Sequence, residues 1–200
     1  MNITAIKQQV KRNDRYSLYV DAKYSFSLSE SELLQKNLRV GQEISQSDLE
    51  KLKNDAVLDK AYDRAINLLS IRPRSEWELR TYLKRKEMEP ETVDSVIQRL
   101  SERKYIDDEA FARRWVESRR LLKPTSKRRL SQELRQKRVE DHIVKRVLEE
   151  DETDEREQLT ELIRKKRQQS RYQDKMKLMQ YLSRQGYSYD DIKSALSEES

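Results

Sequence analysis

The sequence predicts a mostly α-helical protein, an elongated tandem array of three three-helix units preceded by a small N-terminal β-hairpin extension. Three observations support this fold class. Residues of high helix propensity dominate a chain of 200 residues that contains only two glycines and three prolines. One apolar pattern of helical spacing occurs three times between residues 75 and 196. The first thirty residues instead alternate apolar and polar side chains, as strands do.

The N-terminal segment predicts a hairpin. Tyr16, Leu18 and Val20 alternate with polar residues, and Tyr24, Phe26 and Leu28 repeat that alternation after a short Asp21-Ala22-Lys23 turn. A third strand is expected within residues 3–11.

Two capping boxes follow this hairpin. Ser29-x-x-Glu32 predicts the start of a short helix, and Ser47-x-x-Glu50 predicts the start of a longer one. Because the apolar spacing of the longer helix continues to residue 70, the extension should join the first unit without a flexible linker.

Each copy of the apolar pattern follows a helix-capping residue. These caps are Ser75, Ser126 and Asp174. Leucines follow every cap by four and by eight positions, on one helix face. These are Leu79 and Leu83, Leu130 and Leu134, and Leu178 and Leu182. The chain then turns at Met88, Val139 and Tyr187, and a third helix follows with apolar pairs at Val96 and Leu100, Val144 and Leu148, and Ile192 and Leu196. The first unit carries a three-residue insertion around Pro90.

A further helix is expected before each cap, at 56–70, 109–122 and 155–169, so that every unit holds three helices. The expected domains are the extension 1–50 and the repeats 51–106, 107–150 and 151–200. Because each unit buries only a small core, an array of them offers a long surface that suits a long partner.

Composition narrows the class of protein. The chain has no cysteine, so disulfides and thiolate metal sites are excluded. Its start, MNITAIKQQVKRND, lacks the apolar core of a secretory leader, and we expect no membrane contact and a cytoplasmic location. The expected oligomeric state is a monomer, because no dimerisation helix is evident.

The net charge of +6 is concentrated in the middle of the chain, where residues 107–150 carry thirteen basic and nine acidic groups. Arg113 and Arg120 are seven residues apart, as are Arg128 and Arg135, and this spacing places each pair on one helix face. A basic face of this kind predicts binding to phosphates or to an acidic protein groove, although about half of these cations are expected to pair with neighbours such as Glu117 and Glu133. The candidate contact residues are Arg72, Arg74, Arg80, Arg113, Arg114, Arg120, Lys123, Lys127, Arg128 and Arg135.

The sequence offers little for catalysis, and no catalytic residue, metal or cofactor is expected. The single histidine, His142, has no nucleophile beside it in the sequence, and no glycine-rich phosphate loop is present. Asp107, Asp108 and Glu109 could contribute to a metal site, but they better fit favourable negative charge at a helix start. The aromatic residues with helical core spacing are expected to pack in cores, namely Trp77, Tyr82, Tyr105, Phe111 and Trp115. Four tyrosines of the third unit could stack on bases, namely Tyr172, Tyr181, Tyr187 and Tyr189. Of these, Tyr181 and Tyr187 are assigned to the core, and only one of the other two is expected to be exposed.

Several segments resemble the RecX family of recombinase regulators. These are RPRSEWELRTYL, VIQRLSERKYIDDEAFARRWVESR, SKRRLSQELRQKRV and YLSRQGYSYDDIKSAL, and the most specific is the run from Tyr105 to Ala112 followed by Ser118-Arg119. LRVGQEIS, with the hairpin before it, is similar to the N-terminal extension of longer members. The resemblance implies a non-enzymatic bacterial protein that binds the RecA filament. Such a protein mainly inhibits strand exchange, ATP hydrolysis and coprotease activity, and binds single- and double-stranded DNA.

One feature departs from the family pattern. Gly186 ends the second helix of the third unit, but Glu87 and Arg138 hold this place in the other two, so those turns are expected to close differently. Two other functions remain open from the sequence alone. One is a helix-turn-helix transcription factor, and the other is a metal-dependent nuclease that uses Asp107, Asp108 and Glu109.

Overall fold

The computed structural model describes residues 1–198, which contain three β-strands and ten α-helices. They divide into two compact units. The first contains Met1–Arg74 and Leu79–Tyr105, and the second contains Ser75–Glu78 and the chain from Ile106 onwards. Three successive helix triplets follow the N-terminal sheet, so the predicted fold class is confirmed.

The strands are β1 (Ile3–Gln8), β2 (Arg15–Val20) and β3 (Lys23–Ser29), and they form one antiparallel sheet in the order β1-β2-β3. Asp21 and Ala22 turn the hairpin with φ of 46° and 62°, as two-residue hairpins require. Leu18 pairs with Phe26, but the register shifts beyond this pair. Tyr24 therefore leaves the core face and is 59% exposed. The first strand also ends at Gln8, earlier than the predicted limit of residue 11.

Two helices follow the sheet, α1 (Glu30–Gln35) and the long α2 (Gln46–Ile71). Ser29 caps α1 as predicted, whereas α2 begins two residues earlier than expected because Ser45 rather than Ser47 accepts the first-turn amide, from Asp48. The sheet and the start of α2 share one core, built around Ile3, Leu18, Phe26, Leu28, Ile44, Leu49 and Ala56.

A buried ionic network joins the sheet to α2. Arg15 is only 3% exposed, and its guanidinium lies 3.1 Å from the carboxylate of Asp59 and also pairs with Asp63. Asp59 in turn accepts hydrogen bonds from the amide and hydroxyl of Ser29, at 2.8 and 2.7 Å. Burial raises the pKa of Asp63. The extension and the first triplet therefore belong to one compact unit, in agreement with the absence of a linker in the sequence.

The remaining helices complete the triplets. They are α3 (Glu76–Arg85), α4 (Pro90–Glu102), α5 (Asp108–Leu122), α6 (Lys127–Gln136), α7 (Asp141–Glu149), α8 (Glu155–Arg167), α9 (Lys175–Arg184) and α10 (Tyr189–Glu198), with a single 3₁₀ turn at Ser170–Tyr172 before α9. Ser75, Ser126 and Asp174 each accept a first-turn amide, which confirms all three predicted caps. The six repeated leucines are at most 1% exposed, so the pattern in the sequence is the core of each triplet.

The second helix of each triplet ends in the same backbone conformation. Glu87, Arg138 and Gly186 have φ of 57°, 57° and 95°. The expectation that Glu87 and Arg138 close their turns differently was wrong, since both adopt the left-handed conformation. A side chain there costs roughly 1 kcal/mol relative to glycine.

Gly186 is required for a further reason. A Cβ atom on this residue would lie 2.6 Å from Cβ of Arg129 and would also clash with the Ser126 hydroxyl. The two segments are close because the Ser126 amide and the Thr125 hydroxyl both donate to the carbonyl of Gln185, at 3.1 and 2.6 Å. The start of α6 therefore rests directly on the end of α9.

An equivalent contact is made at the start of α3. The Ser75 hydroxyl donates to the carbonyl of Lys137 at 2.9 Å, and Lys137 corresponds in the repeat to Gln185. The Ser75 hydroxyl also accepts the Glu78 amide at 3.3 Å. The same kind of contact thus occurs twice in the second unit. In each case, the residues that cap one helix donate to a carbonyl at the end of a helix of the following repeat.

No helix within residues 1–198 is long and apolar enough to cross a membrane.

Candidate nucleic-acid interface

The outer face of α5 carries Arg113 and Arg114. Arg113 bridges two carboxylates, since it binds Glu109 at 2.7 Å and also pairs with Glu150. Hydrogen bonding to Glu150 and Glu109 raises the pKa of Arg113. Arg114 is exposed, and within the described chain it has no carboxylate partner. Only Arg114 of this pair therefore presents an uncompensated charge to solvent.

Arg120 does not lie on the exposed face where its spacing from Arg113 placed it. Its side chain is 10% exposed and binds Asp151, itself 8% exposed, with a distance of 3.0 Å from Nε to the carboxylate. It also donates to the Thr125 carbonyl and to Gln158, both at 2.6 Å. Arg120 thus joins α5 to α8, and its guanidinium is not available to a ligand.

Three cations occupy the first turn of α6, namely Lys127, Arg128 and Arg129. This turn has no acidic residue, so the positive charges face the positive end of the helix dipole, where cations are unfavourable. Helix stability therefore does not account for this cluster. Lys127 donates to the Asp151 carbonyl and Arg129 contacts Glu133 at 3.4 Å, whereas Arg128 is exposed and has no carboxylate partner in the described chain.

Two other predicted residues lie near the ends of these helices. Lys123 is the exposed C-cap of α5. Arg135 is exposed but binds Asp141, with 2.8 Å between Nε and the carboxylate. One exposed cation was not among the predicted contact residues. It is Arg138, which lies in the left-handed turn after α6. A basic residue at a predicted turn was the signal in the sequence that could have identified it.

The cations predicted in the first triplet are arranged differently. Arg72 ends α2 and donates to the Pro73 carbonyl at 2.8 Å. Arg74 is half-buried before the Ser75 cap, and Arg80 on α3 forms an ion pair with Asp94. All three are in the first unit, whereas the middle cations are in the second.

The exposed cations of the second triplet that lack carboxylate partners in the described chain form a set that we call the basic surface. It consists of Arg114, Lys123, Arg128 and Arg138. The other basic residues on these helices are held in ion pairs, except Lys127, whose ammonium donates to the Asp151 carbonyl. The uncompensated charge is therefore smaller than the sequence count indicates.

Two cations cover a tryptophan of α5. Arg119 and Lys137 lie 4.7 and 5.3 Å from the ring of Trp115. Glu133 accepts from the indole at 2.9 Å and from Arg119 at 2.7 Å. Burial acts to raise the pKa of Glu133, but these two hydrogen bonds and the charges of Arg119 and Arg129 together lower it. This network fixes Trp115 and stabilises the fold rather than offering it to a ligand.

The acidic run at the start of α5 is fully used in structural contacts. Asp107 caps the helix by accepting the Ala110 amide at 2.9 Å, and Asp108 accepts the Glu76 amide at 2.8 Å. Glu109 pairs with Arg113 and Arg146. Burial raises the pKa of Asp108. The described part of the chain contains no cluster of three metal-ligating side chains.

Other candidate residues fall on the surface. His142 lies 3.0 Å from Glu140, and its side chain is 64% exposed. Trp77 and Tyr105 were expected in cores but are 42% and 56% exposed. Tyr187 is buried, and burial raises its pKa. Tyr189 is exposed, whereas Tyr172 and Tyr181 are half-buried.

The geometry defines a three-helix-repeat protein with an N-terminal antiparallel sheet and with four exposed cations on its second repeat that lack carboxylate partners in the described chain. Family models match in four consecutive pieces. They are the RecX N-terminal domain at residues 1–45 and the first, second and third RecX three-helix domains at residues 61–100, 107–148 and 153–196. The chain belongs to the RecX family of regulatory proteins.

Individual relatives agree with this assignment. Regulatory protein RecX of Listeria innocua is 33% identical over 99% of this chain and 76% of its own length. The Bacillus subtilis protein of the same name is 31% identical over 98% of this chain and 76% of its own length. A crystal structure of a regulatory protein RecX superposes with a TM-score of 0.71 at 27% identity, covering 98% of both chains.

Proposed function

We propose that this protein is a non-enzymatic bacterial regulator that binds the RecA recombinase filament on DNA. It mainly inhibits strand exchange, ATP hydrolysis and coprotease activity, and so acts in DNA repair and the SOS response in the cytoplasm. Membership of the RecX family is the observation that supports this proposal most strongly, because this chain matches four RecX domain models in succession and its relatives carry the name of a regulatory protein.

The basic surface is the part of the molecule that we assign to the polyanionic side of this complex. Arg114 and Arg128 carry charge that no carboxylate of the described chain neutralises, and Arg128 sits where the helix dipole disfavours it. Phosphate binding would neutralise both side chains and release counterions from the DNA. The basic surface thus supplies accessory binding to single- and double-stranded DNA.

The test is a titration of RecA ATPase activity on single-stranded DNA with the full chain. The double variant Arg114→Glu/Arg128→Glu should need a severalfold higher concentration for half-maximal inhibition. Lys53→Glu/Lys60→Glu is the matched control, because it makes the same charge change at two exposed positions of α2. Circular dichroism should show equal helix content in both variants.

Two results would contradict the proposal. Failure of the unmodified protein to bind or inhibit RecA would reject the partner. Equal inhibition by the unmodified protein and by Arg114→Glu/Arg128→Glu at physiological salt would reject the role of the basic surface while leaving the partner in place.

A further inference from the structure

The third repeat contains a group of aromatic and basic side chains outside the basic surface. We call Tyr172, Tyr181, Lys166 and Arg171 the tyrosine–cation cluster. The two rings lie 5.1 Å apart with an interplanar angle of 51°. The ammonium of Lys166 is 5.6 Å from the centre of Tyr172 and 4.9 Å from that of Tyr181, and Arg171 is 5.8 Å from Tyr172.

Packing explains only part of this arrangement. Both tyrosines pack against the core of the third repeat, yet each ring remains partly exposed. Neither phenol oxygen makes a hydrogen bond within residues 1–198, so the two side chains are held by apolar packing and by ring contacts. A partly exposed ring with a cation beside it is a surface on which a base can stack.

The chain around the cluster is strongly basic. Residues 164–184 carry eight basic residues and one acidic residue, although the third repeat as a whole has no positive excess. Glu161 compensates Arg164 and Lys165, at 2.7 and 3.1 Å. Hydrogen bonds from Arg164 and Lys165 lower the pKa of Glu161 to about 2. Lys166 and Arg171 have no carboxylate partner in the described chain.

Helix electrostatics explain the cations up to Arg167, because they lie in the last turn of α8, where the dipole favours positive charge. They do not explain Arg171, which lies in the 3₁₀ turn beyond that helix, or Lys175, which begins α9. Positive charge at a helix start is unfavourable. These positions therefore point to an anionic ligand.

We propose that the tyrosine–cation cluster binds single-stranded nucleic acid, with a base stacked on Tyr172 and the flanking phosphates on Lys166 and Arg171. Single strands fit because their bases are free to stack, whereas a duplex keeps its bases in its interior. The site lies in the third repeat, apart from the basic surface, and it rests on and deepens the DNA binding of the proposed function.

Photocrosslinking tests the site without any substitution. The full chain is irradiated with a single-stranded oligonucleotide of about 15 nucleotides that carries iodouracil, and the attached peptide is identified by mass spectrometry. The expected product joins the oligonucleotide to Tyr172 or Tyr181. Products confined to other parts of the chain would overturn the proposal.

Affinity measurements provide the second test. Tyr172→Leu keeps an apolar side chain against the core but removes the aromatic ring, and it should weaken single-strand binding about five- to tenfold. Tyr189→Leu is the matched control, since Tyr189 is exposed in the same repeat and lies outside the cluster. Equal affinities for the Tyr172→Leu and Tyr189→Leu proteins, both with native circular dichroism, would refute the stacking role.

Salt dependence tests the two cations. For Lys166→Gln/Arg171→Gln, the slope of log affinity against log salt concentration should become shallower by about 1.4, because each lost single-strand phosphate contact contributes about 0.7. Lys165→Gln, which removes a cation already paired with Glu161, should change it less. An unchanged slope in the double variant would reject the phosphate contacts. If only Arg114→Glu/Arg128→Glu weakens DNA binding, the cluster proposal fails while the proposed function stands.

Discussion

Arg120 gives the strongest test of how the second and third triplets are held together. Replacing it with methionine keeps much of the side-chain volume but removes the guanidinium that neutralises Asp151 and binds Thr125 and Gln158. Asp151 then stays buried without its cation. The second unit should lose stability while its apolar cores are unchanged.

The size of the effect follows from burial. Both charged side chains are at most 10% exposed, so solvent screening is small. Breaking a buried ion pair by removing one partner costs about 3–5 kcal/mol. For a urea dependence of about 1.5 kcal/mol per molar, the unfolding midpoint should fall by about 2–3 M.

The two tryptophans make a selective assay possible. Trp77 and Trp115 both lie in the second unit, so tryptophan fluorescence during urea titration reports the unfolding of that unit. Arg113→Met is the matched control, because it breaks a more exposed ion pair on the same helix and should leave the midpoint nearly unchanged. The double variant Arg120→Met/Asp151→Leu should be more stable than Arg120→Met, because it removes the uncompensated charge.

A midpoint decrease below about 0.5 M for Arg120→Met would refute this reasoning, since it corresponds to less than about 1 kcal/mol. A double variant less stable than Arg120→Met would likewise show that the stranded charge of Asp151 is not the source of the loss.

Three further predictions concern the turns and the Trp115 network. Gly186→Ala should destabilise the second unit by more than about 2 kcal/mol, because it adds left-handed strain and a clash with Arg129. Gly41→Ala is the control. It has the same sign of φ but open space around it, so it should cost only about 1 kcal/mol. Urea titrations followed by fluorescence for the first variant and by circular dichroism for the second would measure this, and equal losses would contradict it. Arg138→Gly should stabilise the second unit by about 0.5–1 kcal/mol by relieving the strain at φ of 57°, and a loss of stability would be the opposite result. Glu133→Gln should cost about 1–2 kcal/mol at pH 7. Folding lowers the pKa of Glu133 from its ordinary value of 4.5. The stability that the Glu133 carboxylate contributes is therefore present above that pH and is lost as the pH falls below it. A stability difference between the unmodified protein and Glu133→Gln that is constant from pH 7 to pH 3 would contradict this role of the carboxylate.

The repeats could be predicted because their signals are local. A cap and two leucines lie within nine residues of one another, and the same spacing occurs three times, so chance similarity is small. The left-handed conformation of Glu87 and Arg138 was not predicted, because glycine is only preferred at such a position and is not required there. In the structure, the amides of Met88 and Val139 donate to the carbonyls of Leu83 and Leu134 and close the turn even with Glu87 or Arg138 in it.

The candidate interface was harder to predict because ion pairing depends on distant parts of the chain. Arg120 has helical spacing that suits a surface residue, but its partner Asp151 is 31 residues away. The tyrosine–cation cluster was hidden for another reason. When charge is summed over the whole third repeat, the basic residues of 164–184 are offset by acidic residues at both ends of the repeat. Charge summed over a shorter stretch reveals the positive excess.

The contact at the start of α3 has a consequence for how such arrays grow. A serine hydroxyl can accept an amide of its own helix and donate to a carbonyl of another, as Ser75 does. A carboxylate can only accept, and Asp174 uses its carboxylate for the amides of Met176 and Lys177. At α6 the contact with the later helix is made instead by the Ser126 amide and the Thr125 hydroxyl. An engineered protein lengthened by copying one repeat onto the third would therefore need a hydroxyl donor either at position 174, as in α3, or at position 173, as in α6.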